Sequence, residues 1–536
     1  MTLSTRNIVL TGFMGAGKTS VGRYVADRLR RPFVDMDALI EERQGQTVAS
    51  IFAIEGETIF RRYESELVHE LATQEGLVIA TGGGALLNPA HREAFLATST
   101  VVCLQADVDE VLRRVGRNGV RPLLNVEDPR QHVERLLIQR APAYGAIPLQ
   151  LDTDGLSVAA VGDRVIALAL GLTDGEFYAL PVHAPDADYT IIIGDGALAH
   201  LAGLLSGLRI GPTVALVTND TLASLHGAAV MQALQAAGLA PALCTIPDGE
   251  PFKTLDTVRD LYARFAQAQL ERQSAVIALG GGVVGDTAGF AAATYLRGLP
   301  FIQMPTTLLS MVDASVGGKV GVDLPGVGKN LVGAFKQPLL VVADTALLAT
   351  LPPAEFRAGL AEVVKHGILA APDLFADLEG RGPRSLPHLV AEAVRVKVNV
   401  VEADPFEQQL RAHLNLGHTF GHALELVSNF SIRHGEAVAI GLAAASHLGV
   451  AVGLCDSQAR DRIVRLLQRL GLPVQIPDSI TASAQELLAA MSSDKKKKDG
   501  RLRFVIPRQI GHVEMADNLA VEAVSAAWRK VGAKNN

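Results

Sequence analysis

Gly12-Phe13-Met14-Gly15-Ala16-Gly17-Lys18-Thr19 decides the fold of the first part of the chain. The apolar run Ile8-Val9-Leu10 leads into it, and a helical pattern runs from Lys18 to about Leu29. Glycines let backbone N–H groups turn toward phosphate oxygens without a Cβ in the way. The helix N-terminus that follows adds partial positive charge. Gly15, Ala16 and Gly17 form the cradle, Lys18 reaches the β- and γ-phosphates, and Thr19 offers an oxygen to Mg²⁺. A chance glycine-rich turn would not carry the strand before it and the helix after it. The stretch therefore predicts a nucleoside triphosphate with Mg²⁺ on a parallel α/β sheet.

A different chemistry stands far downstream. Leu279-Gly280-Gly281-Gly282-Val283-Val284-Gly285-Asp286 follows another apolar strand, and Glu362, His418, His422 and His434 come after it. The turn predicts a dinucleotide and the histidines a divalent metal. One small active site does not need both sets, so the chain reads as two enzymes.

Composition agrees with several domains. The chain has 536 residues, 49% hydrophobic and 20% charged, which is globular rather than disordered. A formal net charge of −7 and the lack of a basic stripe argue against nucleic acid. Cys103, Cys244 and Cys455 stand far apart, which argues against a disulfide scaffold and fits a reducing cytosol. The first strand begins by Ile8, leaving no room for a cleavable signal. Residues 437–455 hold no acidic or basic side chain unless His447 is charged, and they are long enough to raise a membrane question. Ser446, His447 and three glycines favour a buried helix instead.

Strands are expected at 7–12, 77–80, 100–104, 189–193, 213–218 and 275–279, with helical patterns between them. Beyond about Leu351 helical periodicity dominates, and only 502–506 looks strand-like. The expected organisation is an α/β phosphate-loop kinase domain with a parallel sheet over 1–170 and a linker over 171–187. A Rossmann-like α/β nucleotide-binding domain over 188–350 and a mainly helical metal- and substrate-binding domain over 351–536 complete it.

In the first domain the acceptor must be inferred from Asp35, Asp37, Arg61 and the Gly82-Gly83-Gly84 turn. Asp37 suits a substrate hydroxyl, and the planar fork of Arg61 suits a carboxylate. Singly, each reads as a solvated surface residue. Together with Phe33-Val34-Asp35-Met36-Asp37, Phe60-Arg61-Arg62-Tyr63-Glu64, Thr81-Gly82-Gly83-Gly84, Val120-Arg121-Pro122-Leu123-Leu124 and Arg140, they make this part of the chain resemble shikimate kinase. The resemblance implies that Asp37, Arg61, Gly83 and Arg140 hold shikimate. It also implies that Asp37 is the base, that Asp35 supports Mg²⁺, and that Arg121 lies in a lid over ATP. A lid would keep water from hydrolysing ATP. Arg113, Arg114 and Arg117 read first as a helix face feeding that lid and second as contacts to nucleotide phosphate.

In the second part the glycine turn alone is weak, because it lacks the Gly-x-Gly-x-x-Gly spacing. Asp248, Glu250 and Lys253 upstream suit ribose hydroxyls, and Thr306 and Thr307 downstream suit a nucleotide. His418 and His422 are four apart and share a helix face. With Glu362 and His434 they suit a catalytic Zn²⁺ with an open position, and not all four need ligate, since one histidine can move protons.

Residues from about 185 to 530 resemble 3-dehydroquinate synthase. The blocks are Pro247-Asp248-Gly249-Glu250 with Lys253, the Gly280–Asp286 turn, Thr294-Tyr295-Leu296-Arg297-Gly298, Pro305-Thr306-Thr307-Leu308-Leu309 and Val312-Asp313-Ala314-Ser315-Val316-Gly317-Gly318-Lys319. Gly328-Lys329-Asn330-Leu331, Gly359-Leu360-Ala361-Glu362-Val363-Val364-Lys365, Leu414-Asn415-Leu416-Gly417-His418-Thr419-Phe420-Gly421-His422 and His434-Gly435-Glu436 follow. Ala314 stands where that family often has serine, a position with no assigned role. The resemblance implies a Zn²⁺ or Co²⁺ site of Glu362, His418 and His434, with His422 a non-ligand catalytic residue. It implies NAD⁺ binding by Asp248, Glu250, Lys253, Gly281, Gly282, Val283, Val284, Gly285, Asp286, Thr306, Thr307 and Lys329. Asp313, Lys319, Asn330, Lys365, Lys397 and Arg411 would surround the substrate, with Asp313, Lys319 and Lys365 also catalytic. A lysine of Lys495–Lys498, taken as Lys496, would complete the site. Arg297 would reach the phosphate in a neighbouring subunit, which implies a homodimer.

Many cations suit a phosphorylated, carboxylated sugar acid such as 3-deoxy-arabino-heptulosonate 7-phosphate. The rivals are another sugar-phosphate cyclase or a polyol dehydrogenase in the second part, and in the first a kinase for another hydroxy acid or a nucleotide-sensing module.

Overall fold

The computed structural model describes residues 5–116, 128–185, 187–380, 382–495 and 502–535. Arg117, Arg121 and Lys496 fall outside them. The chain forms two compact units, Thr2–Pro181 and Val182–Asn536.

In the first unit, β1 (Asn7–Gly12), β2 (Phe33–Asp35), β3 (Val78–Ala80), β4 (Ser99–Gln105) and β5 (Leu149–Asp152) form a parallel sheet in the order β2-β3-β1-β4-β5. β1 is buried at every position, as a central strand covered on both faces must be. At its end Gly12 has φ +132°, and a Cβ there would lie 2.2 Å from the Leu104 carbonyl oxygen. The glycine thus lets β1 turn into the phosphate loop while pressed against β4. The helix Lys18–Leu29 begins where the loop ends, as expected.

The expected linker needs correction. Residues 171–187 contain a strand, β6 (Phe177–Val182), buried at all its positions. Its run Phe-Tyr-Ala-Leu-Pro-Val is apolar enough to bury, although Pro181 and the flanking glycines and aspartates give the stretch the composition of a connector. The boundary between the units falls inside this strand.

In the second unit, β7 (Tyr189–Gly194), β8 (Thr213–Asn219), β9 (Ala240–Ile246), β10 (Ala275–Gly280), β11 (Phe301–Pro305) and β14 (Leu340–Asp344) are parallel neighbours in the order β7-β14-β11-β10-β8-β9. β8 is followed outward by β9, whereas β10 is followed the other way by β11. The crevice at the carboxyl ends of β8 and β10 is therefore a topological switch point, where such sheets bind ligands. Between β11 and β14, β12 (Lys319–Leu324) and β13 (Gly328–Phe335) form an antiparallel hairpin.

The helical part is joined to this sheet in one compact unit, so 350/351 is no break between compact bodies. Its helices Pro353–Ala370, Leu386–Ala403, His418–Val427 and His434–Ala451 are heavily buried. The last covers most of the apolar stretch 437–455, and among the described residues no helix is long and apolar enough to cross a membrane. The strand expected at 502–506 is β15 (Arg503–Gln509), and it pairs with a strand the sequence reading missed, β16 (His512–Asp517). β16 alternates polar and buried positions too weakly to stand out from its flanks.

Glycines set the helix spacing. A Cβ on Gly435 would lie 2.0 Å from the Ala358 carbonyl oxygen, and one on Gly441 2.0 Å from that of Gly417. These contacts bring the start of helix His434–Ala451 against the helices bearing Glu362 and His418.

Candidate active sites

In the first unit the phosphate loop and the expected acceptor residues converge. Lys18 Nζ donates to the Gly12 and Phe13 carbonyl oxygens, each at 3.0 Å, which holds its stem folded over the loop. Thr19 Oγ1 donates to Asp35 Oδ2 at 2.8 Å, so the two oxygens expected at Mg²⁺ are adjacent. Asp37 lies in the first turn of the helix Met36–Gln44, and burial, reinforced by Asp35, pushes its carboxyl up to about 6.

Asp37, Arg61 and Arg140 all meet the Gly82-Gly83-Gly84 turn. A Cβ on Gly82 would sit 2.5 Å from Asp37 Oδ1, and one on Gly84 2.8 Å from Arg61 Nη1. Arg140 Nη1 donates to the Gly83 carbonyl at 3.3 Å, and its guanidinium lies 5.4 Å from the centre of the Phe13 ring. A base-like carboxylate and two guanidinium groups thus surround one turn beside a phosphate loop. Side chains at Gly82 and Gly84 would collide with Asp37 and Arg61.

In the second unit Glu362 is buried to 1% exposure. His418 Nε2 lies 3.4 Å and His434 Nε2 3.9 Å from its Oε1. One ligand atom from each of the three falls within 4.8 Å of the others. Two further triplets, His422–Glu425–His434 and Asp313–Glu362–His366, meet the same spacing. The ammonium groups of Lys365 and Lys397 flank Asp313, which disfavours a dication in the last of these. His418 Nδ1 faces the Leu416 carbonyl at 3.2 Å and His434 Nδ1 faces Glu425 at 3.3 Å. Both rings therefore turn Nε2 toward Glu362, and this donor set fits a zinc- or cobalt-type ion.

Beside it is a buried charge cluster. Lys365 Nζ contacts Glu362 Oε2 and lies 3.9 Å from Asp313 Oδ1. Lys397 Nζ donates to Asp313 Oδ1 at 2.7 Å and to its backbone oxygen at 2.5 Å. Burial alone would raise the Asp313 carboxyl, but Lys397 and Lys365 overcome it and hold the group well below the usual range. Burial lowers Lys397 despite Asp313. Burial also opposes charge on Lys365, yet Glu362 and Asp313 raise it. His418 is held well below its ordinary value by burial and Lys365, which keeps its ring neutral and able to ligate.

The glycine turn is close by. Gly281 precedes the helix Gly282–Thr294, whose first turn holds Val283, Val284 and Gly285. A Cβ on Gly281 would meet Thr307 Cγ2 at 3.2 Å, so turn and threonine pack together, while Thr306 is buried. Lys253 Nζ donates to Asp286 Oδ2 and to Asn330 Oδ1, each at 2.6 Å. Asp248 accepts from Thr221 Oγ1 at 2.5 Å, and Lys329 lies 3.6 Å from Glu250. Lys319 contacts Glu407. Arg411 is buried and donates to the carbonyls of Pro405 at 2.6 Å and Gly317 at 3.1 Å. Arg297 stands apart. It is exposed in a left-handed turn with Leu296 and makes no hydrogen bond or ion pair with another described residue.

Comparison with known proteins agrees with both halves. Residues 14–168 match the shikimate kinase family, 243–358 the N-terminal part of 3-dehydroquinate synthase, and 359–497 its C-terminal part. A 3-dehydroquinate synthase of Synechococcus is 45% identical over 364 residues, covering 66% of this chain and 98% of that protein. The chain belongs to the 3-dehydroquinate synthase family. It carries a shikimate kinase domain ahead of the synthase, two activities of the shikimate pathway.

Solved structures similar to the synthase include a 2-epi-5-epi-valiolone synthase of Streptomyces hygroscopicus with NAD⁺ and Zn²⁺ bound. It has 29% identity and a TM-score of 0.60, covering 65% of this chain and 98% of that one. A 2-deoxy-scyllo-inosose synthase complexed with carbaglucose-6-phosphate, NAD⁺ and Co²⁺ has 25% identity and a TM-score of 0.60, covering 66% and 100%.

Several residues at these sites escaped the sequence reading. In the kinase, Glu64 is buried and bonds Arg61 Nη1 at 3.0 Å, and Tyr144 donates to the Gly83 carbonyl at 2.7 Å. Arg114 does more than line a helix face. It donates to the Gly15 carbonyl at 3.3 Å and to Thr153 Oγ1 at 2.9 Å, tying the phosphate loop to the end of the sheet. A cavity of about 550 Å³ opens at the ends of β4 and β5, lined by Phe13, Cys103, Tyr144, Asp152 and Asp154 among others. In the synthase, Glu407, Glu425 and His366 stand among the expected site residues. Of these only Glu64 lies in a block quoted for the resemblance.

Proposed function

We propose that the first unit transfers the terminal phosphoryl group of ATP to shikimate, giving shikimate 3-phosphate. The second would convert 3-deoxy-D-arabino-heptulosonate 7-phosphate to 3-dehydroquinate and phosphate. The observation that carries this reading is two separate convergences: Asp37, Arg61 and Arg140 on one glycine turn, and Glu362, His418 and His434 on one point beside a buried lysine cluster.

In the kinase, Gly15, Ala16 and Gly17 present N–H groups to phosphate, and Lys18 swings from its two carbonyls to the β- and γ-oxygens. Thr19 and Asp35 would hold Mg²⁺, which neutralises phosphate charge when bound. Arg61 and Arg140 clamp the shikimate carboxylate above Gly83. Asp37 takes the proton of the attacking hydroxyl, and its raised carboxyl is matched to that work. Arg121 would close over ATP.

In the synthase, Glu362, His418 and His434 would hold Zn²⁺ or Co²⁺. Asp248, Glu250, Lys253, the Gly281–Asp286 turn, Thr306, Thr307 and Lys329 would hold NAD⁺. When bound, the metal would supply polarisation of a substrate hydroxyl and the dinucleotide reversible hydride chemistry. Lys319, Asn330, Arg411 and Lys496 bind the acidic substrate, with Arg297 contributed from a neighbouring subunit, which its exposed, unpaired guanidinium supports. Lys365 and Lys397 keep Asp313 ionised beside the reacting carbons. His422, outside the Glu362 triplet, moves a proton at a substrate hydroxyl. Three buried, unpaired cysteines support a cytoplasmic setting.

The test is stoichiometric. Purified protein given the heptulosonate phosphate and NAD⁺ should release phosphate without net NADH. Accumulation of NADH in step with substrate loss would instead make the second unit a dehydrogenase.

A further inference from the structure

One buried side chain, Glu425, has two oxygens that face groups of different expected function. Glu425 lies on helix His418–Val427, buried to 6% exposure, one helical turn past His422. Its Oε2 faces His434 Nδ1 at 3.3 Å, and its Oε1 lies 3.8 Å from Lys329 Nζ. An ionised carboxylate only accepts hydrogen bonds, so His434 Nδ1 must carry the ring proton in this pair. That leaves the Nε2 lone pair free on the side that faces Glu362.

We propose that Glu425 is a positioning residue that fixes the tautomer and rotation of His434 for metal binding, and does not itself ligate. The proposal rests on the reading of Glu362, His418 and His434 as the ligands. A histidine ligand whose second nitrogen is held by a carboxylate is a better donor and has fewer ring orientations to lose on binding. His434 needs such a hold more than His418 does. Its side chain is 37% exposed against 12% for His418, and it stands at the first position of its helix. His418 is instead oriented by the Leu416 carbonyl, within its own segment.

The geometry leaves one competing arrangement, in which the ion sits among His422, Glu425 and His434. The two differ in what each variant does. Metal-free protein is titrated with Co²⁺, with affinity and the visible absorption of the bound ion as readouts, and circular dichroism as a check on folding. Wild-type protein should bind one Co²⁺ per chain at this site, and Glu362→Ala should abolish it. If Glu362→Ala binds as wild type does, the ligand reading itself fails. Given that it passes, Glu425→Ala should weaken Co²⁺ by about 10- to 100-fold with its absorption bands retained. Glu425→Gln, which keeps a neutral acceptor, should fall between the two and serves if the alanine variant does not fold. His422→Ala should bind as wild type does. Unchanged affinity in both Glu425 variants overturns the proposal. So does loss of the Co²⁺ bands in Glu425→Gln together with loss of binding in His422→Ala, which would make Glu425 a ligand.

Discussion

Replacing Lys397 by Met should destabilise the second unit through Asp313 rather than through lost packing. Methionine fills much of the same volume, so the change removes mainly the ammonium group. Lys397 Nζ is 2.7 Å from Asp313 Oδ1, and the lysine is buried to 6% exposure. Removing one partner of a buried pair costs 3–5 kcal/mol because a charge is left without compensation; Lys365 remains near Asp313, so about 3 kcal/mol is expected here. Asp313→Asn in the same background removes the stranded charge. The double variant should then be more stable than the sum of the single changes by about 2 kcal/mol. The assay is chemical unfolding of metal-free, NAD-free protein followed by circular dichroism, comparing all four members of the cycle at the transition of the second unit. The transition of the kinase unit is the internal standard and should not move. A single-variant loss below about 1 kcal/mol, or strict additivity in the double variant, would show that Asp313 does not depend on Lys397 for its charge.

Asp37→Asn should lower kcat for shikimate phosphorylation by about 10²- to 10⁴-fold with little change in the KM for ATP, since Asp37 faces the acceptor turn rather than the phosphate loop. Steady-state kinetics with varied ATP and shikimate check this, and a change confined to the ATP KM would remove Asp37 from the chemistry. Gly435→Ala would set a Cβ 2.0 Å from the Ala358 carbonyl, pushing His434 away from Glu362. Overpacking of that kind costs about 1–3 kcal/mol, and synthase activity should fall while kinase activity stays. Wild-type synthase activity and stability would mean that the two helices separate without consequence.

The readable parts of this chain are those where local sequence and tertiary role coincide. β1, β8 and β10 are continuous apolar runs because both faces of a parallel sheet are covered, and each ends at a polar or glycine turn. The phosphate loop needs its glycines in fixed order, so spacing alone identifies it. The acceptor set was different. Asp37, Arg61 and Arg140 are far apart in sequence, and only the family resemblance joined them before the fold did. Likewise Glu362 joins His418 and His434 through helix packing set by Gly435 and Gly441, which no spacing rule reports.

What was missed has a common cause. Glu407 and Glu425 are single acids in segments where an acid ordinarily faces water, and only long-range contacts with Lys319 and His434 give them a place in the site. β6 reads in sequence as part of a linker because Pro181 and its polar flanks outweigh the apolar run. Sequence puts Arg114 on a helix, but its direction depends on where Gly15 and Thr153 come to rest.

The central claim is that one chain holds two catalysts with different metal needs. One sample of the wild-type protein should be assayed for both reactions, with and without a chelator selective for Zn²⁺ and Co²⁺ and with Mg²⁺ in excess. The account predicts loss of phosphate release from the heptulosonate phosphate and full retention of shikimate phosphorylation. Synthase activity that survives complete removal of the metal, or kinase activity lost along with it, would contradict the account.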